Sequence, residues 1–139
     1  MLLNHLLSWL LVLPALGIGV LCFIRDRETA SRIALASTLL TFCLSIVLWM
    51  QFDFAKADMQ FVERFELMPT LKVQYALGID GISLLMVTLT TLLTPIAILC
   101  SWKTVKTNQH VFMILILLLE TATLGVFLSL DLVFFYFFW

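Results

Sequence analysis

The sequence predicts an all-α membrane protein, with four transmembrane helices, the start of a fifth, and a short periplasmic hairpin between helices two and three. Three observations predict it. Hydrophobic residues make up 63% of the chain and charged residues only 12%, against about 45–50% and about 25% in soluble domains. Four apolar stretches each reach the roughly 20 residues needed to cross a bilayer. Almost all charge falls between those stretches.

Helix one covers about residues 2–23. No lysine or arginine occurs from Met1 to Phe23 and no small-residue cleavage site precedes Arg25, so it reads as a retained helix rather than a signal peptide. His5 lies near its outer end, an interfacial position. Helix two covers 33–52 and carries a small-residue stripe, Ala34, Thr38, Thr41 and Ser45, of the kind that lets membrane helices approach closely. In the following loop, Phe61–Leu67 and Leu71–Leu77 flank Met68-Pro69-Thr70, and the second run partly alternates apolar and polar residues. A hairpin with Pro69 in its turn is predicted, with an irregular amphipathic loop as the alternative. Helix three covers 82–101 and helix four 111–130, the latter with a second small stripe, Thr121, Gly125 and Ser129. Residues 132–139, LVFFYFFW, begin a fifth helix. Eight residues cannot cross a bilayer, so the chain is expected to be the front piece of a longer membrane protein.

Orientation follows from the short loops. Arg25, Arg27 and Arg32 lie between helices one and two, and Lys103 and Lys106 between helices three and four. Positive residues favour the cytoplasm, which puts the N-terminus and the long loop outside. A net charge of −1 gives no electrostatic reason to expect nucleic acid. Cys22, Cys43 and Cys100 form no CxxC or Cys/His ligand spacing, so no metal site is expected and the thiols read as buried small hydrophobes. No Walker loop, GxGxxG, GxSxG or HExxH occurs, so no catalytic residue and no bound cofactor is assigned to this chain.

Glu120 lies near the centre of helix four. An ionised group at that depth costs roughly 2.5–3.5 kcal/mol, while each Leu, Ile, Val or Phe returns roughly 0.3–0.6 kcal/mol. Thirteen such residues in the segment allow it to insert. A carboxyl group there faces protein or water, which makes Glu120 a proton-relay candidate; the alternative is a protonated side chain bonded to a neighbouring helix. Pro14 and Pro95 free the carbonyls of Leu10 and Thr91 and mark helix kinks, serving either water access or ordinary packing. Asp131 reads as the N-cap of the fifth helix, and Asp80 with Gly81 as the turn and cap of the third, a role in ion access being the alternative.

The stretch Tyr75–Trp102, YALGIDGISLLMVTLTTLLTPIAILCSW, resembles the start of the third helix in the proton-pumping, antiporter-like subunits of respiratory complex I, most closely the subunit M or chain 4 type. Gly125–Trp139, GVFLSLDLVFFYFFW, resembles the approach to that family's fifth helix, and the N-terminal MLL…LPALG is also similar. The resemblance covers essentially the whole chain. It implies a multi-pass subunit of a bacterial inner membrane in which electron transfer from NADH to quinone drives proton movement. It implies other membrane-arm subunits and lipid as partners, and NADH, FMN, iron–sulfur clusters and quinone handled by other subunits. The family's fifth-helix glutamate directly follows the FW pair that ends this sequence, so none of its principal relay residues carries over. Asp80, Gly81 and Asp131 do carry over, in structural roles, and the candidacy of Glu120 rests on burial cost alone. Related cation/proton antiporter or membrane-bound hydrogenase subunits share the DGxSLL turn and form the first alternative. A small structural or assembly membrane protein is the second.

Overall fold

A computed structural model describes residues 5–24, 26–56, 58–68, 73–105 and 107–139, with the side chains of 66–68 and 73 excepted. The start of helix one before His5, the basic residues Arg25 and Lys106, and the expected Pro69 turn lie outside the described residues.

The elements run α1 Leu6–Phe23, α2 Arg27–Gln51, β1 Gln60–Met68, β2 Val73–Ile79, α3 Gly81–Thr104, α4 Gln109–Leu128 and α5 Leu132–Phe138. The first four helices are each long and apolar enough to cross a membrane. The protein is therefore a multi-pass membrane protein. Helix two begins six residues before its expected start because the Asp26 carboxylate accepts the Thr29 amide at 2.9 Å, closing the first turn outside the apolar stretch. For the same reason of polar end residues, α3 runs on through Lys103 to Thr104, and α4 starts at Gln109 and ends at Leu128. Hydropathy marks the greasy middle of a helix and not its capped ends.

Each helix packs on its sequence neighbour, and α1 also packs on α4, closing a four-helix ring. The buried core divides into two clusters. At the hairpin end, Leu7, Leu10, Leu48, Leu84, Leu124 and Leu128 meet Leu77 and Ile79 of β2. At the other end, Leu21, Ala30, Ala34, Ile98, Met113 and Leu117 meet. Between them the buried positions turn small and polar: Thr38, Thr41 and Ser45 of α2, Thr91 of α3, and Glu120 of α4. Thr91 Oγ1 donates to Ser45 Oγ at 2.9 Å across the α2–α3 contact. Ser37 Oγ donates to the Leu13 carbonyl at 3.2 Å beside Pro14, and a Cβ on Gly17 would sit 2.6 Å from that same hydroxyl. Both prolines lie buried within continuous helices.

β1 and β2 form an antiparallel hairpin between α2 and α3, with Glu63 opposite Leu77 and Phe65 opposite Tyr75. The register slips between Gln60 and Glu63, where Phe61 takes a left-handed φ of 53°. The bulge turns Glu63 onto the same inward face as the buried Leu77. Beyond α4 the chain adds to the free edge of β2: Leu130 N donates to the Ala76 carbonyl at 2.8 Å, and Ser129 bridges Leu77. Gly78 makes room for this, since a Cβ there would lie 2.6 Å from Leu130 Cδ1.

One expectation fails. Cys22, Cys43 and Cys100 are exposed on the outer faces of the bundle, not buried within it. Helices apolar on every side carry no hydropathy signal that separates the core face from the outer one.

Candidate functional site

The core-facing stripe of α4 runs Gln109, Met113, Leu117, Glu120, Leu124 and Leu128, at helical spacings of three and four. Glu120 sits in the middle of that stripe and is 1% exposed. Its side chain borders a groove of about 260 Å³ between α3 and α4, walled by Thr90, Leu93 and Thr94 on one side and Ile116, Leu119 and Thr123 on the other. Neither carboxyl oxygen has a hydrogen-bond partner among the described residues. The nearby hydroxyls are spent on their own helices: Thr90 donates to Met86 O, Thr94 to Thr90 O and Thr123 to Leu119 O, at 2.8, 2.9 and 2.7 Å. An ionised Glu120 thus lacks a donor and a neutral one lacks an acceptor, a state that native interiors rarely leave standing.

A second carboxylate, Glu63, is also buried but is partnered. Glu63 is 6% exposed and receives the Leu7 amide at 3.0 Å, the Ser8 amide at 3.4 Å and the Ser8 hydroxyl. His5 Nδ1 lies 3.7 Å away. These are the free amides of the first turn of α1, whose own N-cap residue, His5, makes no side-chain cap. A strand side chain more than fifty residues away supplies the cap, in favourable alignment with the helix dipole. Tyr75 O–H lies 2.9 Å from Ser8 Oγ; because Ser8 gives its proton to Glu63, the phenol donates to Ser8. Burial, and then the Glu63 charge, push the Tyr75 phenol above its ordinary 10.0 although the Ser8 bond opposes them, so it keeps its proton at neutral pH.

Sequence reasoning singled out neither Glu63 nor the junction at the other end. There the buried Gln109 accepts from Arg27 Nε and donates to Ser31 Oγ at 2.8 Å and to the Trp102 carbonyl at 3.1 Å. The signal for Glu63 is a carboxylate flanked by Phe61, Val62 and Phe65 within the first run of the expected hairpin. Long-range partners were needed to see the cap.

The capping residues are placed as follows. The Asp131 carboxylate accepts the amides of Val133 at 2.8 Å and Phe134 at 3.2 Å, opening α5, and also the Gln74 amide of β2 at 3.4 Å. Asp80 accepts the Ser83 amide at 2.7 Å and opens α3. Gly81 is the first residue of α3, outside the left-handed region and with open space where a Cβ would point, so its backbone does not demand glycine. Asp80, Asp131 and Glu120 do not come together into one site: two sit at the hairpin end and Glu120 in the middle layer.

Asp80→Ala should cost roughly 1 kcal/mol in thermal unfolding of the detergent-solubilised protein, the usual value of an N-cap. The Ser83 amide, and then its hydroxyl, hold the Asp80 carboxyl below the ordinary 3.8. A depressed folded value means that the cap contributes fully above 3.8 and is lost as the pH falls through the lower folded value. Asp80→Asn, which caps without titrating, should therefore flatten the acid limb of stability against pH.

Comparison with known proteins gives the site its context. The family described as NADH-ubiquinone oxidoreductase chain 4, amino terminus, matches residues 7–126. The NADH-ubiquinone oxidoreductase chain 4 of Arabidopsis thaliana is 42% identical over 95% of this chain and 27% of its own length. NADH-quinone oxidoreductase subunit M of Escherichia coli K12 is 37% identical over 96% of this chain and 28% of its own. F(420)H(2) dehydrogenase subunit M of Methanosarcina mazei is 35% identical over 95% and 27%. The chain spans about a quarter of the length of these curated relatives. With the match running from the second residue of α1 to within two residues of the end of α4, the chain belongs to the NADH-ubiquinone oxidoreductase chain 4 amino-terminal family.

Proposed function

We propose that the chain forms part of a membrane-arm subunit of a proton-translocating NADH-quinone oxidoreductase, with other subunits transferring electrons from NADH to quinone. The observation that carries this is the likeness to subunit M and chain 4 relatives along 95–96% of the chain. NADH, flavin, iron–sulfur clusters and quinone then belong to other subunits, and this chain contributes membrane helices that pack on neighbouring membrane-arm subunits and lipid. Arg27, Arg32 and Lys103 lie at one end of the bundle, which the positive-inside rule assigns to the cytoplasm, leaving the hairpin on the periplasmic side. Glu120 is the relay candidate of this segment, since a buried membrane carboxyl group with no hydrogen-bond partner among the described residues is free to exchange a proton with water entering the groove.

The likeness to an F(420)H(2) dehydrogenase subunit favours a second reading, in which the same helices serve a complex fed by a different electron donor. Deleting the gene separates the two. Loss of NADH-driven, inhibitor-sensitive proton uptake by inverted membrane vesicles is expected on the first reading, and its persistence would rule that reading out. In the full-length protein, Glu120→Gln keeps the shape but cannot ionise. It should lower the ratio of protons moved to NADH oxidised at least several-fold, and an unchanged ratio would remove Glu120 from the proton path.

A further inference from the structure

We infer that the shallow saddle between α1 and α4, on the outer face of the bundle, is the bed of the rest of α5, the helical segment that follows Trp139 in the full-length polypeptide. The inference rests on the reading of the chain as part of a longer membrane-arm subunit, since its curated relatives are about four times its length. The first turns of α5 are already seated on that saddle. Phe138 packs on Gly125 of α4. Phe134, one turn earlier, meets the Tyr75 ring at a centroid distance of 5.0 Å, and the Tyr75 hydroxyl lies 2.9 Å from Ser8 of α1. Phe134 and Phe138, four residues apart, form the seated face of α5, while Leu132, Val133, Tyr136 and Phe137 are exposed.

Direction and spacing carry the path onward. α1 and α5 both start at the hairpin end and run parallel, while α4 ends there and is antiparallel to α5. Counting back along α4 from Gly125, the next residues on that face are Thr121 and Leu118. Counting forward along α1 from Ser8, they are Ala15 and Gly19. The two counts agree: the third and fourth positions past Phe138 come over Ala15 and Thr121, and the seventh comes over Gly19 and Leu118. These residues are shaped to receive a helix. Ala15 and Gly19 are exposed, and a Cβ on Gly19 would meet open space. Small residues let membrane helices approach closely. Thr121 gives its hydroxyl proton to the Leu117 carbonyl at 2.8 Å, so an apolar helix face strands no donor there. Continuity selects the occupant, because a straight helix held at Phe134 and Phe138 runs along this line. The groove beside Glu120 opens on the opposite, α3-facing flank of α4, through Ile116, Leu119 and Thr123, so this course of α5 leaves it unclosed.

The test uses the full-length protein in its native membranes, with Cys22, Cys43 and Cys100 replaced by alanine so that introduced thiols pair only with each other. Thr121→Cys is combined with a cysteine at the fourth position past Phe138. Independently, Ala15→Cys is combined with a cysteine at the third. Leu119→Cys, on the α3-facing flank of α4, is combined with each as the control. After mild oxidation, linked peptides are identified by mass spectrometry without reduction. A disulfide forms only where the two Cα atoms come within about 4.4–6.8 Å. The expected result is a link within one polypeptide from both the Thr121 and the Ala15 pairs, at no less than fivefold the yield from Leu119. A link missing from either pair in an assembled subunit, a Leu119 yield equal to theirs, or links that join two copies of the polypeptide overturn the inference. Should one variant fail to assemble, the other pair decides. A native polypeptide with no residues past Trp139 overturns the subunit reading and the inference with it, whereas a longer subunit that links through Leu119 overturns the inference alone.

Discussion

Glu63→Ala should destabilise the bundle by about 3 kcal/mol, the range for removing a charged acceptor and stranding its buried donors. The carboxylate accepts three donors from Leu7 and Ser8, and Leu7 is fully buried. Water can replace only part of the lost acceptor: the Leu7 amide is buried, whereas the Ser8 side of the carboxylate borders an open groove lined by His5, Phe61 and Arg64. The loss also releases Ser8 from its carboxylate and with it the Tyr75 phenol. Thermal unfolding of the detergent-solubilised protein measures the effect, and hydrogen exchange at the Leu7 and Ser8 amides locates it. Glu63→Gln retains one acceptor oxygen and should lose only part of the stability. A Glu63→Ala protein within 0.5 kcal/mol of the parent, roughly the scatter of neutral surface substitutions, would mean that the cap contributes nothing.

Gly125→Val should be the most damaging single change on α4. A Cβ at this position would fall inside the van der Waals envelope of the Phe138 ring, in contact with three of its carbons. Neither partner can give way easily. Gly125 is held in mid-helix, and Phe138 packs edge-on against Phe134, itself packed against the hairpin-end core. Overpacking of this kind costs about 1–3 kcal/mol for a methylene and more for a branched side chain. The expected outcome is a fall in unfolding temperature with α5 shifted away from α4. Phe138→Ala added to Gly125→Val should recover most of the loss, because the two side chains would then share one volume. A double variant as unstable as the sum of its parts would place the strain elsewhere.

The four membrane helices were legible because apolar length alone marks a span, and the hairpin because Phe61–Leu67 and Leu71–Leu77 bracket a proline. Asp131 and Asp80 were legible because an N-cap is local: donor and acceptor lie within three residues. Glu63 was not, because its donors lie 55 and 56 residues away, and no spacing rule connects a strand carboxylate to a helix start. The cysteines escaped for a different reason. The outer faces of these helices are as apolar as the inner ones, with Leu16, Leu40, Leu99 and Leu119 all more than half exposed, so the two sides look alike in sequence. What separates them is size and polarity: α2 turns Ala34, Thr38, Thr41 and Ser45 inward, and that small-residue stripe was visible from the start.

The double use of β2 has a mechanical consequence. Through Glu63 and Tyr75 the hairpin grips the first turn of α1, and through Ala76, Gln74 and the Tyr75–Phe134 ring contact it grips the first turn of α5. Two helix starts separated by some 125 residues of sequence are thereby buckled to one small piece of sheet. A pull on α5 is delivered to α1 without crossing the bilayer interior, so the hairpin behaves as a crossbar that keeps the two helices in step.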